Sequence, residues 1–255
     1  MAQFYIKRRS FLHSLDPRVK IIGMLIGIFT LMLFNEPLLL IGLFTALLIM
    51  GKFLAGADFS YQFKLLKPLL PIVIITLVVW PVIYKPRIEG FFIGISYSAR
   101  LLGFALVTFL LLMTTTQKDL VLGFVKLGLP YELGLTLTIS IRYIPTLYGI
   151  AGTIIDAQRS RGLELEKGNI LVRLKKMSAV LIPLIVTSLK TAHELSIALE
   201  SRAFGASKKR TYLRDLKMTK RDYAFLIAMV ACFMIAVYAR YALGFGYVNF
   251  YRGGA

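Results

Sequence analysis

Two short stretches of this chain place an arginine in the same small-residue setting. One is Ala157-Gln158-Arg159-Ser160-Arg161-Gly162. The other is Ala198-Leu199-Glu200-Ser201-Arg202-Ala203, followed by Phe204-Gly205. Alanine, two variable residues, serine, arginine and a small residue recur in the same order. A guanidinium offers N–H donors in a planar fork, so the chemistry within reach is recognition of carboxylates or carbonyls, not bond making. Two readings stand side by side. An arginine near a helix C-terminus is favourable by about 0.3–1 kcal/mol, so each could be a simple cap. The repeated setting argues instead that each arginine projects from a tight turn into a partner.

Other reactive groups form no constellation. His13 and His193 are the two histidines, and Cys232 the one cysteine. A metal site needs more ligands at suitable spacing. His193-Glu194 lacks the second histidine of a zincin motif, and there is no glycine-rich P-loop. No metal, no catalytic residue and no cofactor is therefore expected on this chain. Acidic residues are scattered without the pairing that proton-transfer or metal chemistry requires.

The elements that carry the arginines belong to a membrane protein. Of 255 residues, 57% are hydrophobic and 17% charged, against about 25% charged in an ordinary soluble domain. The mean hydropathy is +0.72. Disorder is excluded by that hydrophobicity, and a disulfide scaffold by the single cysteine. Apolar runs of membrane-spanning character cover 19–34, 38–55, 68–84, 91–114 and 223–243. Asn35-Glu36-Pro37 reads as a tight turn between the first two. An all-α integral membrane protein with about five spans follows.

The net charge of +18 suits either nucleic acid or large cytoplasmic loops; the hydropathy favours the second. Of 31 basic residues, 26 fall in the N-terminal arm, the loop after the second span and the segment 117–222. The positive-inside rule then puts the N-terminus inside and the C-terminus outside the cell membrane. Three parts result: an arm and four spans over 1–116, a cytoplasmic domain over 117–221, and a last span with an outer tail over 222–255. The run Lys208-Lys209-Arg210 with Arg214, Lys217, Lys220 and Arg221 is expected against anionic headgroups.

Within the cytoplasmic segment the spacing predicts two long helices and a short one. The first runs over 132–161. Leu137, Ile141, Ile144, Tyr148, Ala151 and Ile155 form its apolar stripe, while Arg142, Pro145, Gly149, Gly152, Asp156 and Arg159 form a small or polar one. A small stripe permits close approach of another helix, so Pro145, Gly149 and Gly152 are expected at a helix crossing. Gly162 falls where a left-handed C-cap belongs. The second helix runs over 171–202, adjusted at Pro183, with Gly205 as its stop. Arg100 lies in mid-span, where a charge must pair, face a cavity or snorkel. Contact with a partner in the membrane or with a headgroup is the functional reading.

On these residues the chain resembles the transmembrane T component of energy-coupling factor transporters, importers of vitamins and metal ions. The resemblance rests on His13-Ser14-Leu15-Asp16-Pro17-Arg18-Val19-Lys20, on Ile141-Arg142-Tyr143-Ile144-Pro145, and on the two arginine stretches. Members carry an Ala-Arg-Gly-type signature at the end of each of two coupling helices. Here these are Ser160-Arg161-Gly162 and Ser201-Arg202-Ala203. Neither keeps alanine before the arginine, and the second has alanine for glycine. The resemblance implies a non-catalytic scaffold whose two long helices cross in an X. It implies that each arginine docks into one of two ABC-type ATPase subunits, which hold the ATP and Mg. It also implies that the apolar faces carry a substrate-binding S component. Two other classes are weighed against it. A secondary transporter should show broken helices around a polar midplane site. A membrane-embedded lipid enzyme should show clustered acids or histidines near a span end.

Overall fold

The computed structural model describes residues 10–84, 87–164, 169–204, 218–242 and 244, all as helices, turns and short links. In chain order the helices are α1 (Phe11–Ser14), α2 (Pro17–Leu33), α3 (Pro37–Phe53), α4 (Phe59–Leu66), α5 (Leu70–Ile83), α6 (Arg87–Thr114), α7 (Gln117–Lys126), α8 (Tyr131–Ser160), α9 (Ile170–Glu200) and α10 (Lys220–Tyr241). The all-α class expected from the hydropathy is the one found. Lys7–Arg9, Lys85, Gly205 and most of the basic run after it lie outside the described residues.

Proline and caps set the boundaries. The Asp16 carboxylate accepts the Arg18 N–H at 2.9 Å, with Pro17 at the first helical position of α2. Proline costs nothing there, because that N–H has no partner within the helix anyway. Pro37 opens α3 in the same way. The expected turn at Asn35-Glu36 therefore stands. The third span begins earlier than expected. A 3-10 turn over Lys67–Leu69 joins α4 to α5, giving a 25-residue apolar stretch, Phe59–Ile83. Pro68 sits in that tight turn instead of starting the span.

Among the described residues three stretches are long and apolar enough to cross a membrane outright: Phe59–Ile83, Arg87–Thr114 and Lys220–Tyr241. Helices α2 and α3 have 17 residues each, about 26 Å of helix and the short end of the spanning range.

The chain divides into two compact units. Residues 10–129 and 218–244 belong to one, and 130–204 to the other. In the membrane unit α6 is the central helix. It packs on α5, α3 and α2, and Leu31, Phe34, Leu40, Ala99 and Val107 form a buried cluster. Helices α5 and α6 approach backbone to backbone. A methyl group placed on Gly90 would sit 2.7 Å from the Trp80 carbonyl oxygen, and one on Gly94 would sit 3.2 Å from that of Thr76. One turn further on, the Ser98 and Thr76 hydroxyls hydrogen-bond at 2.8 Å. Small residues at every fourth position thus bring two membrane helices into backbone contact.

The second unit is an antiparallel pair, α8 and α9. Lys176, early in α9, donates to the Glu164 carbonyl just past α8, at 2.8 Å. At the other end the rings of Tyr131, which opens α8, and Phe204, just past α9, lie 6.5 Å apart. Both helices run through an internal proline, Pro145 and Pro183.

Candidate partner-docking site

The two arginine stretches close their helices with one hydrogen-bond pattern. At the end of α8, the Gly162 N–H donates to the Arg159 carbonyl at 2.9 Å and the Leu163 N–H to that of Gln158 at 3.0 Å. At the end of α9, the Ala203 N–H donates to the Glu200 carbonyl at 2.9 Å and the Phe204 N–H to that of Leu199 at 3.0 Å. Each is a Schellman turn, with the residue after the arginine in the left-handed region. Gly162 has φ +87° and Ala203 φ +55°. The expected left-handed cap at Gly162 is therefore present, and Ala203 adopts the same conformation at a steric cost of about 1 kcal/mol. An apolar residue follows in both cases, Leu163 and Phe204.

Because the caps match bond for bond, Arg161 and Arg202 leave their helices from equivalent places. Ser160, Arg161, Gly162, Ser201, Arg202 and Ala203 are all exposed. Among the described residues neither arginine side chain makes a hydrogen bond or ion pair. The antiparallel pairing puts the two signatures at opposite ends of the hairpin. Helix α8 has 30 residues, so the ends lie about 45 Å apart along its axis. Spacing in sequence is silent on this separation; the contacts at Tyr131 and Glu164 set it.

Arg100 is used differently from the expectation. Its Nε donates to the Leu31 carbonyl at 3.2 Å, and its Nη2 to the Phe34 carbonyl and the Asn35 Oδ1, both at 2.7 Å. These are acceptors at the C-terminal end of α2, where the last carbonyls lack helical partners and the dipole favours a cation. The guanidinium also lies over the Tyr97 ring, 5.3 Å from its centre. Arg100 therefore satisfies the α2–α3 turn within the chain through Nε and Nη2.

The crossing expected at Pro145, Gly149 and Gly152 also changes. A methyl group on Gly149 or Gly152 would meet nothing within 4 Å, and Pro145 is exposed. The half-buried positions of α8 include Leu147, Ile150 and Ile154 along with Gly152 itself. Glycines in close contact with a neighbouring helix lie in the membrane unit, Gly90 and Gly94 against backbone and Gly103 and Gly123 against side chains. Sequence reading missed them because a glycine stripe looks the same whether its face is covered or bare.

A buried polar knot was also missed. The Asp222 carboxylate, 2% exposed, accepts the Asp16 N–H at 2.8 Å. Lys20 donates to the Thr114 carbonyl at 2.9 Å. The one signal in sequence was Thr219 three residues before Asp222, a capping-box spacing. The box is formed: the Thr219 N–H and hydroxyl both donate to Asp222 Oδ2 at 2.7 Å.

The fold and site together define an all-α integral membrane protein that leaves two arginine-capped helix ends exposed. Comparison with known proteins makes this specific. Residues 8–213 match the family described as CbiQ, cobalt transport protein. The chain is 32% identical to the energy-coupling factor transporter transmembrane protein EcfT of Acidaminococcus fermentans, over 94% of this chain and 96% of that protein. It is 32% identical to EcfT of Bacillus subtilis over 92% and 96%, and 30% identical to EcfT of Staphylococcus aureus over 93% and 96%. The chain belongs to this family and is a transmembrane component of an energy-coupling factor transporter.

Proposed function

We propose that this chain is the coupling scaffold of an ATP-driven importer. Arg161 and Arg202 each dock into one of two ABC-type ATPase subunits, which bind the ATP and Mg; this chain binds no cofactor and catalyses no reaction. The exposed apolar faces of α8 and α9, with Leu137, Ile144, Tyr148, Leu181, Ile185 and Leu189 at the surface, carry a substrate-binding S component. Hydrolysis moves the two docked ends, and the helix pair passes that motion to the S component, which releases a vitamin or metal ion inward. The N-terminus lies inside and the C-terminus outside.

One observation carries this reading. Two exposed arginines sit on Schellman turns of matching hydrogen bonds, at opposite ends of one antiparallel helix pair. A cap made only for its own helix needs no such match, and two ends about 45 Å apart suit two separate subunits. An arginine fork buried at such an interface makes paired, charge-assisted bonds to carboxylates or carbonyls. Mass spectrometry of the proteins retained by the tagged chain in mild detergent tests the proposal. Two ATPase subunits and a small membrane protein should be retained by the wild type. Their absence, or tight vitamin binding by the isolated chain, would move the function to a self-sufficient transporter.

A further inference from the structure

The chain passes between its two units twice. It leaves the membrane unit after α7 and returns at α10. Both passages are fastened, inside the membrane unit, to the first two turns of α2. On the outgoing side, Gly123 of α7 lies against α2: a methyl group there would sit 3.1 Å from Ile21 Cδ1 and 3.2 Å from Pro17 Cβ. On the returning side, Asp222 in the first turn of α10 uses one carboxylate oxygen to cap its own helix. The other oxygen accepts the Asp16 N–H, a bond spanning 206 residues of sequence. Asp16 in turn caps α2. Lys20, one turn along, donates to the carbonyls of Thr114 at the end of α6 and of His13 in α1, at 2.9 and 3.4 Å. Asp16, Lys20 and Asp222 are at most 7% exposed.

The placement is specific. A helix cap alone would not need Asp222 to reach the opening turn of the chain, and packing alone would not need three buried charged side chains. Buried charges are costly unless each is satisfied, so such a knot is rigid and breaks as a unit. It lies among the elements by which the chain leaves and re-enters the membrane unit.

We propose that Asp16, Lys20 and Asp222 form a clasp that holds the two passages together, so that movement of the α8–α9 unit is delivered to α2 and α6 as one motion. These are positioning residues, and the proposal rests on the coupling-scaffold reading.

The test uses the complex retained by the tagged full chain, with spin labels at Lys118→Cys on α7 and Tyr223→Cys on α10 in a Cys232→Ser background. Distances are measured with and without ATP plus vanadate. Uptake is assayed with whichever of a panel of radiolabelled B vitamins, cobalt(II) and nickel(II) the wild type takes up. The wild type should give one narrow distance, the same in both states. Asp222→Ala should broaden it, keep the ATPase subunits bound, and lower uptake per ATP hydrolysed about tenfold, the factor carried by one buried charge-assisted hydrogen bond. Lys20→Met keeps the side chain's length without its charge, and should act in the same direction where Asp222→Ala does not accumulate. A narrow distance and wild-type uptake per ATP in both variants would overturn the clasp, as would a wild-type distance that shifts on vanadate trapping. A wild-type chain that retains no ATPase subunit would overturn the scaffold reading and the clasp with it. A broadened distance with unchanged uptake per ATP would overturn the clasp alone.

Discussion

Arg100 lies within a long helix and Arg161 caps one, yet the first side chain makes three hydrogen bonds within the chain and the second side chain makes none among the described residues. The contrast extends to their surroundings. The buried apolar clusters lie in the membrane unit. In the helix pair, α9 has no buried residue among those described, and α8 has only Gly134. Close glycine packing follows the same division: Gly90 and Gly94 touch neighbouring backbone, while Gly149 and Gly152 face open space. One unit has spent its polar and small residues on itself. The other keeps them at the surface, where only another molecule can use them. The arginines are hydrated where they stand; it is the exposed apolar face that is costly in a lone protein and sensible in a subunit.

The largest expected effect comes from the unspent arginines. Arg161→Ala combined with Arg202→Ala should strip the ATPase subunits from the tagged chain and nearly abolish uptake, since each buried interface charge is worth about 2–5 kcal/mol. The melting temperature of the isolated chain in detergent should stay put. Retained ATPase subunits and normal uptake in this double variant would reduce both arginines to helix caps.

Arg100→Met should do the reverse. It leaves the Leu31 and Phe34 carbonyls and the Asn35 side chain without their donor, so the isolated chain should lose about 3 kcal/mol of stability. The folded fraction should still bind its partners. Loss of partner binding at full stability would show instead that Arg100 faces another subunit.

Gly90 and Gly149 should respond to the same substitution with opposite signs. Gly90→Ala forces α5 and α6 apart and should cost about 1–3 kcal/mol. Gly149→Ala meets nothing and replaces a poor helix former, so the isolated chain should gain up to about 1 kcal/mol. Thermal unfolding of the two variants side by side checks both signs. Equal destabilisation would mean that the α8 stripe is covered after all.

Ala203→Gly should have the smallest effect. It relieves a left-handed alanine, offset in part by glycine's greater freedom in the unfolded chain, and should stabilise the end of α9 by about 0.5 kcal/mol. Hydrogen exchange at the Phe204 amide, which closes the turn on Leu199, should slow. Faster exchange there would contradict the left-handed geometry.

The membrane class, the turn at Asn35, the two long helices and the cap at Gly162 could be read from the residues alone. Each of these is local: hydropathy, proline placement and glycine's freedom act within a few residues of where they are read. The sequence also marked both arginine stretches as equivalent, because a Schellman turn is written in consecutive residues. What those residues face depends on packing between helices. A guanidinium in mid-span, a glycine every fourth position and an aspartate in a capping box each carry the same local signal whether or not a neighbour arrives. Only packing brought Leu31 and Phe34 under Arg100, α5 against Gly90, and Asp16 onto Asp222 across 206 residues. The separation of Arg161 from Arg202 was likewise fixed by the antiparallel pairing of α8 and α9, since the pairing of two helices depends on contacts between side chains far apart in sequence.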